Sequence, residues 1–209
     1  MKTFSSASRM RIAARHLLAG LVAAVLLAAC TVTTDPSEGA TTGTGENSSF
    51  TEAGLEQIIA DGEATIDLRG PIRATDLGAD EDAGLRDLDQ RGEDPVEVTL
   101  LGAHGELVVQ AEVIRILVRP ESEQIQSIAL FEGVEDAADL ADRLREVAGP
   151  VGYDDAVTAP ILDQLTADSE QEHDRWLNGG TALGPTIGLN AVHHPDGDSL
   201  LQYELTPPS

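Results

Sequence analysis

The sequence predicts an α+β domain: a mainly antiparallel sheet of about five strands, a meander plus a C-terminal hairpin, with two or three helices packed on it. Three observations carry this. Between 96 and 131, apolar residues alternate in three runs joined by short turns, as antiparallel neighbours do. From Val134 to Val147 they recur at helical spacing instead. Near the end, two more alternating runs flank Pro195-Asp196-Gly197, a turn sequence. Strands grouped before helices, without strict β–α alternation, define the class.

Residues 51–60 place Leu55, Ile58 and Ile59 on one helical face, with Gly62 as the stop. Residues 64–68 (ATIDL) alternate and read as a strand. Residues 76–94 read as a strongly acidic, Gly-containing loop. Val96, Val98 and Leu100 mark the first meander strand, and Gly102-Ala103-His104-Gly105 is its turn. Residues 107–118 read as one long strand, with Ile114, Ile116 and Val118 alternating against Arg115 and Arg119. Pro120-Glu121-Ser122-Glu123 turns the chain, and 125–131 returns.

The helix carrying Val134, Ala137, Ala138, Ala141, Leu144 and Val147 is closed by Gly149-Pro150. Asp154 or Asp155 caps a second helix reaching about Asp168, with Ile161, Leu162 and Leu165 inside. Residues 187–192 and 200–205 form the closing hairpin.

The N-terminus has a different logic. Lys2, Arg9, Arg11 and Arg15 precede an apolar run over 17–29, with no acid before residue 30. Basic, then apolar, then small is the layout of a secretory signal. The run is 13 residues, short of the ~20 needed to span a bilayer as a helix. Leu27-Ala28-Ala29-Cys30 resembles the lipobox of bacterial lipoproteins. That resemblance covers residues 1–30 only. It implies a diacylglycerol on Cys30, cleavage before it, and attachment to the extracytoplasmic face of the cell membrane. Two acyl chains give stable anchoring where one does not. Domain organisation follows: 1–29 signal peptide, 30–49 lipidated Cys and flexible tether rich in Thr, Ser and Gly, 50–209 one acidic domain. A coil of this length spans roughly 25 Å.

Charge restricts function. Loss of the signal would leave nine basic residues, all Arg, against 37 acids, a formal charge of −28 with no lysine. Lysine chemistry is excluded from that mature chain, including Schiff bases and phosphate-binding P-loops. Nucleic acid is a poor partner, since binding it relies on cationic side chains. A cation or a basic protein is the expected contact. Cys30 is the single cysteine, so acylation would also remove disulfide, thiolate-metal and thiol-nucleophile chemistry. No cofactor motif is present.

Four patterns invite a chemical reading. Gly197-Asp198-Ser199-Leu200 resembles the GDSL esterases and lipases in four letters. That family's downstream Asp-x-x-His is absent and the chain ends ten residues after Ser199, so the segment reads as a turn and a strand start. His193-His194 with Asp196 and Asp198 could bring ligands to a cation, but adjacent residues of a strand point to opposite faces. Glu170-x-x-His173 is half of a di-iron spacing without its other half, so it reads as a polar turn. Asp76, Asp80, Glu81, Asp82, Asp87 and Asp89 offer oxygens suited to calcium. Asp80, Asp82, Asp87 and Asp89 are the candidate metal ligands, Arg73, Arg86 and Arg91 partly neutralise them, and the EF-hand register is missing. Trp176, the single tryptophan, reads as a core plug in a loop, with a contact role as the alternative.

The expected function is a non-enzymatic binding or interaction module displayed by a lipid anchor. The alternatives are a calcium-responsive structural domain, or a surface hydrolase using His104, His193 or His194 with Ser199.

Overall fold

The computed structural model describes residues 47–79, 84–119, 123–195 and 199–207. All belong to one unit, Ala40–Ser209. Cys30, the tether to residue 46, Asp80, Glu81, Asp82 and the Asp196-Gly197-Asp198 turn lie outside the described residues.

The class is α+β, with three α-helices and nine strands among the described residues. The strands form two sheets, correcting the expected five-stranded one. β1 (Glu63–Asp67), β3 (Val96–Gly102) and β4 (Gly105–Ala111) make a small sheet ordered β1-β3-β4, whose β1–β3 pair is parallel. β2 (Leu85–Asp89), β5 (Val113–Val118), β6 (Ile125–Val134), β7 (His173–Gly180), β8 (Thr186–His193) and β9 (Ser199–Thr206) make a fully antiparallel sheet ordered β2-β5-β6-β9-β8-β7.

The expected long strand over 107–118 is two strands in two sheets. Leu107, Val109 and Ala111 are buried at odd positions, while Ile114, Ile116 and Val118 are buried at even ones. Since strand side chains alternate with a period of two, one continuous strand would turn half of these residues outward. The chain breaks phase at Glu112, whose N–H donates to Phe131 O at 2.8 Å and whose carbonyl accepts from Gln90 N at 2.7 Å. A Cβ at Gly133 would sit 2.4 Å from the Glu112 carboxylate, so the missing side chain there makes room for the break. The expected three-stranded meander is thereby replaced by a β3–β4 hairpin and a β5–β6 hairpin.

The expected loop over 76–94 is corrected as well. It contains β2, an edge strand paired with β5. Asp76 lies within the preceding 3-10 turn (Ala74–Leu77) and caps its start by accepting from Arg73 N. Residues 47–48, assigned to the tether, instead run along β1: Asn47 Oδ1 accepts from Asp67 N, and Ser48 N donates to Thr65 O.

Helix α1 (Glu52–Asp61) is capped by Thr51 and stops at Gly62 in the left-handed region. Ile58 is buried, but Ile59 is 48 % exposed, so the expected apolar face is narrower. Helix α2 (Ala137–Val151) runs through Gly149-Pro150 and ends at Gly152 with φ 108°, correcting its expected stop. Asp136 caps it by accepting from Ala138 N and Asp139 N. Helix α3 (Asp155–Ala167) is capped by Asp154.

One core joins everything. Val98, Leu100 and Val109 of the small sheet meet Leu140 and Leu144 of α2 and Ile114, Leu130, Leu189 and Tyr203 of the large sheet. The large-sheet residues share one face, which therefore lies under the helices and the small sheet. The opposite face carries Trp176, Asn190, Gln202, Phe131 and Val113 along one register row. The core residues of the helices and of the small sheet cluster with the other face. Val113 and Ala129, on the face with Trp176, are buried yet stand outside the core cluster. No described helix is long and apolar enough to cross a membrane.

Candidate functional site

The covered face holds the histidine and serine residues that the sequence singles out. His173 and His193 are register partners on β7 and β8, both about 95 % buried. Their rings stack at 6.2 Å with 24° between planes. His193 Nε2 lies 2.8 Å from Ser169 O and Nδ1 lies 2.7 Å from Ser199 Oγ. A carbonyl only accepts, so Nε2 carries the proton and Nδ1 accepts from the Ser199 hydroxyl. His173 Nε2 likewise bonds Asp168 O at 3.0 Å, which leaves its buried Nδ1 without a described partner.

This cluster has half of a hydrolase's geometry. A histidine nitrogen accepts a serine hydroxyl proton, as in a nucleophile–base pair. The other nitrogen meets a peptide carbonyl, where the serine triad places a carboxylate. Ser199 is 1 % exposed; it is absent from the walls of the cleft of about 350 Å³ beside His193, and the hollow of about 280 Å³ that it does border is lined by Arg91, Arg115 and Phe131 and not by His193. What the arrangement does is pin the α3–β7 connection, through the Asp168 and Ser169 carbonyls, to the large sheet. His194 points the other way, half exposed, 3.5 Å from Glu172. His104 is exposed in the β3–β4 turn. Glu170 does not share a ligand set with His173: among the described residues no three His, Cys, Asp or Glu groups converge to hold a metal.

Of the acidic candidates, the described Asp87 and Asp89 are engaged with arginine. Asp87 takes both Nε and Nη2 of Arg115, at 2.9 and 2.8 Å, and this pairing holds the guanidinium above its ordinary pKa. Arg115 also lies over the Phe131 ring, 5.6 Å from its centroid. Asp89 is chelated by Arg91, and those hydrogen bonds hold its carboxyl down at about 2. Both aspartates therefore already have cationic partners. Arg115 was not among the neutralising residues the sequence suggested.

Trp176 overturns its expected role: it sits in strand β7 and is 46 % exposed on the open face. Its cross-strand partner is Asn190, followed in the row by Gln202. Asn190 is 5 % exposed, and its Oδ1 has no hydrogen-bond partner among the described residues. Gly188 lies two residues along β8 on the same face, opposite Glu204 of β9. Asn190, Gln202 and Glu204 escaped the sequence reading because each looks like an ordinary outward residue; only strand order shows them converging around Trp176. No protein-family model, curated protein or solved structure matches the chain.

Proposed function

We propose that this chain is a lipid-anchored lipoprotein on the extracytoplasmic face of a bacterial cell membrane, whose acidic α+β domain is a non-enzymatic binding module. Leu27-Ala28-Ala29-Cys30 and the basic-apolar leader support the anchor. One observation carries the binding role: the open face of the six-stranded sheet, on which Trp176 stands exposed in the same register row as half-buried Phe131. Apolar surface without a covering element is where soluble domains meet ligands or partners.

A hydrolase reading has the 2.7 Å His193–Ser199 contact in its favour. It has against it a hydroxyl sealed at 1 % exposure.

The anchor is tested by fractionating bacteria that express the full chain. Wild type is expected in the membrane pellet and to incorporate a clickable palmitate. Cys30→Ser is expected in the soluble extracytoplasmic fraction without label. A Cys30→Ser protein that stays with the membrane overturns the reading.

A further inference from the structure

We infer that Asn178 is a site of spontaneous covalent modification. The peptide nitrogen of Gly179 closes on the Asn178 side-chain amide, and the fold selects this asparagine among the chain's three, Asn47, Asn178 and Asn190, for conversion to aspartate and isoaspartate. The inference stands apart from the binding-module reading and does not need it.

The chemistry uses only the chain and water. Deprotonated Gly179 N attacks Asn178 Cγ, as any nucleophile must be activated to do. A bond forms between N and Cγ, the Cγ–Nδ2 bond breaks, and Nδ2 leaves as ammonia with the proton that Gly179 N gave up. Water then opens the cyclic imide. Opening at Cγ gives aspartate. Opening at the main-chain carbonyl gives isoaspartate, with the backbone routed through Cβ. The sum is amide plus water going to acid plus ammonia, with nothing oxidised or reduced.

Three conditions decide whether an asparagine reacts. The next nitrogen must be unhindered, the backbone must be able to bring it to Cγ, and water must reach the amide. Asn178 meets each. Gly179 has no Cβ to shield its nitrogen; its φ is 93°, and a Cβ there would meet nothing within 4 Å. Glycine also has the widest backbone freedom for the approach. Leu177 pairs with Leu189 and Gly180 with Ile187, so Asn178 and Gly179 together stand opposite Gly188 alone and have no register partner. That two-against-one count is a β-bulge. β7 is the outermost strand of its sheet, and both bulge residues are exposed.

The bulge is held from below. Tyr153 Oη lies 2.8 Å from both Leu177 O and Ile187 O, the carbonyls at its two ends. A Cβ at Gly180 would sit 2.6 Å from Val151 Cγ1 and 2.9 Å from the Tyr153 ring, so the strand resumes only because position 180 is glycine. The ends are fixed and the two residues between them are left outside the ladder.

The other two asparagines are blocked. Ser48, which follows Asn47, donates its N–H to Thr65 O at 2.8 Å, and Asn47 Oδ1 accepts from Asp67 N at 2.6 Å. Nucleophile and target are both tied to β1. Asn190 is 5 % exposed, and Ala191 after it is paired on both sides, with Arg175 and Leu201. Reaction at either needs the sheet to open first.

The product places a carboxylate two residues from exposed Trp176. Isoaspartate also lengthens the backbone, at a point where no ladder pairing is lost.

The full chain is incubated in mildly alkaline buffer, folded and in parallel unfolded in guanidinium. Each asparagine is followed by peptide mass spectrometry, with aspartate and isoaspartate resolved by fragmentation. Folded Asn178 is expected to convert within about tenfold of its unfolded rate, while Asn47 and Asn190 are slowed about a hundredfold or more by the need for local opening. Both isomers are expected at 178. Asn178→Gln, whose amide sits one methylene farther from the nitrogen, is expected to stay intact with Tm unchanged. Protection of folded Asn178 equal to that of Asn190 overturns the proposal. So does aspartate formed at 178 without isoaspartate, which would mean direct hydrolysis instead of attack by Gly179. The Cys30→Ser fractionation succeeds or fails independently of either result.

Discussion

The Tyr203 hydroxyl donates a 2.6 Å hydrogen bond to Glu132 Oε2, the same oxygen that Arg143 Nε reaches at 2.9 Å. Tyr203 is fully buried on β9 and Glu132 is 6 % exposed on β6. Arg143 projects from α2 and extends its Nη2 to Val108 O at 3.0 Å, closing an edge carbonyl of β4. Four elements and both sheets thus meet at one carboxylate. A buried charge that keeps one partner loses less than one that keeps none. Tyr203→Phe leaves Arg143 in place and is expected to cost about 1–2 kcal/mol. Arg143→Ala strips the charge partner and is expected to cost about 3–5 kcal/mol. Urea unfolding orders the two; a Tyr203→Phe loss equal to or larger than that of Arg143→Ala would contradict this assignment.

Alkaline pH is expected to unfold the domain through its tyrosines. Burial pushes the Tyr203 phenol far above its ordinary value, with the Glu132 charge adding to it, and burial also raises Tyr153. Both stay protonated in the folded state at a pH where the unfolded chain has released the proton. Their contribution is complete below about pH 10 and lost as pH rises beyond it, at about 1.4 kcal/mol per unit for each tyrosine until its folded value is reached. The described residues contain no lysine or cysteine, so little else titrates in that window. Guanidinium midpoints between pH 9 and 11.5 are expected to fall, and Tyr203→Phe to flatten the slope. An unchanged slope in that variant would place the alkaline sensitivity elsewhere.

Much of this architecture is legible in residue order, and the failures have physical causes. The α3 cap at Asp154, the Gly62 stop of α1 and the closing β8–β9 hairpin follow from local patterns whose partners are close in sequence. The strand break at Glu112 is written in the parity change between Ala111 and Ile114, a signal that a long apolar run conceals. β2 is hidden because Asp87 and Asp89 are poor strand residues by propensity; cross-strand pairing of Asp87 with Arg115 supplies what propensity lacks. Pro150 does not stop α2, because its helical turn is completed before the left-handed Gly152. The candidate site is the least legible part. Trp176, Asn190 and Gln202 lie on three strands; the β8–β9 pair is legible as a hairpin, but the Trp176 segment reads as a loop, so nothing in the order of residues adds β7 to that pair.

Calcium is expected to leave the thermal midpoint unchanged. Asp87 is committed to Arg115 and Asp89 to Arg91, so a cation must displace two guanidinium groups from them. A ligand selective for the folded state necessarily raises the midpoint. Melts with excess calcium and with chelator are expected to coincide within error. A rise with calcium that disappears in Asp87→Asn would establish an ion site at this edge strand and revive the calcium-responsive reading.

Ser199 is expected to resist active-site-directed chemistry. Its hydroxyl donates to His193 Nδ1, and the imidazole is held through Nε2 by the Ser169 carbonyl. A nucleophile needs a substrate carbonyl beside it and an oxyanion site, and a serine at 1 % exposure admits neither. Treatment of the folded chain with a fluorophosphonate probe is expected to leave Ser199 unlabelled, read by peptide mass spectrometry. Ser199→Ala then tests what the contact does instead. It strands His193 Nδ1 as a second buried acceptor beside that of His173, at about 1–3 kcal/mol. Faster hydrogen exchange is expected in the α3–β7 connection, which the two imidazoles hold. Labelling of Ser199, with esterase turnover lost in Ser199→Ala, would instead make the pair a working dyad that opens in solution.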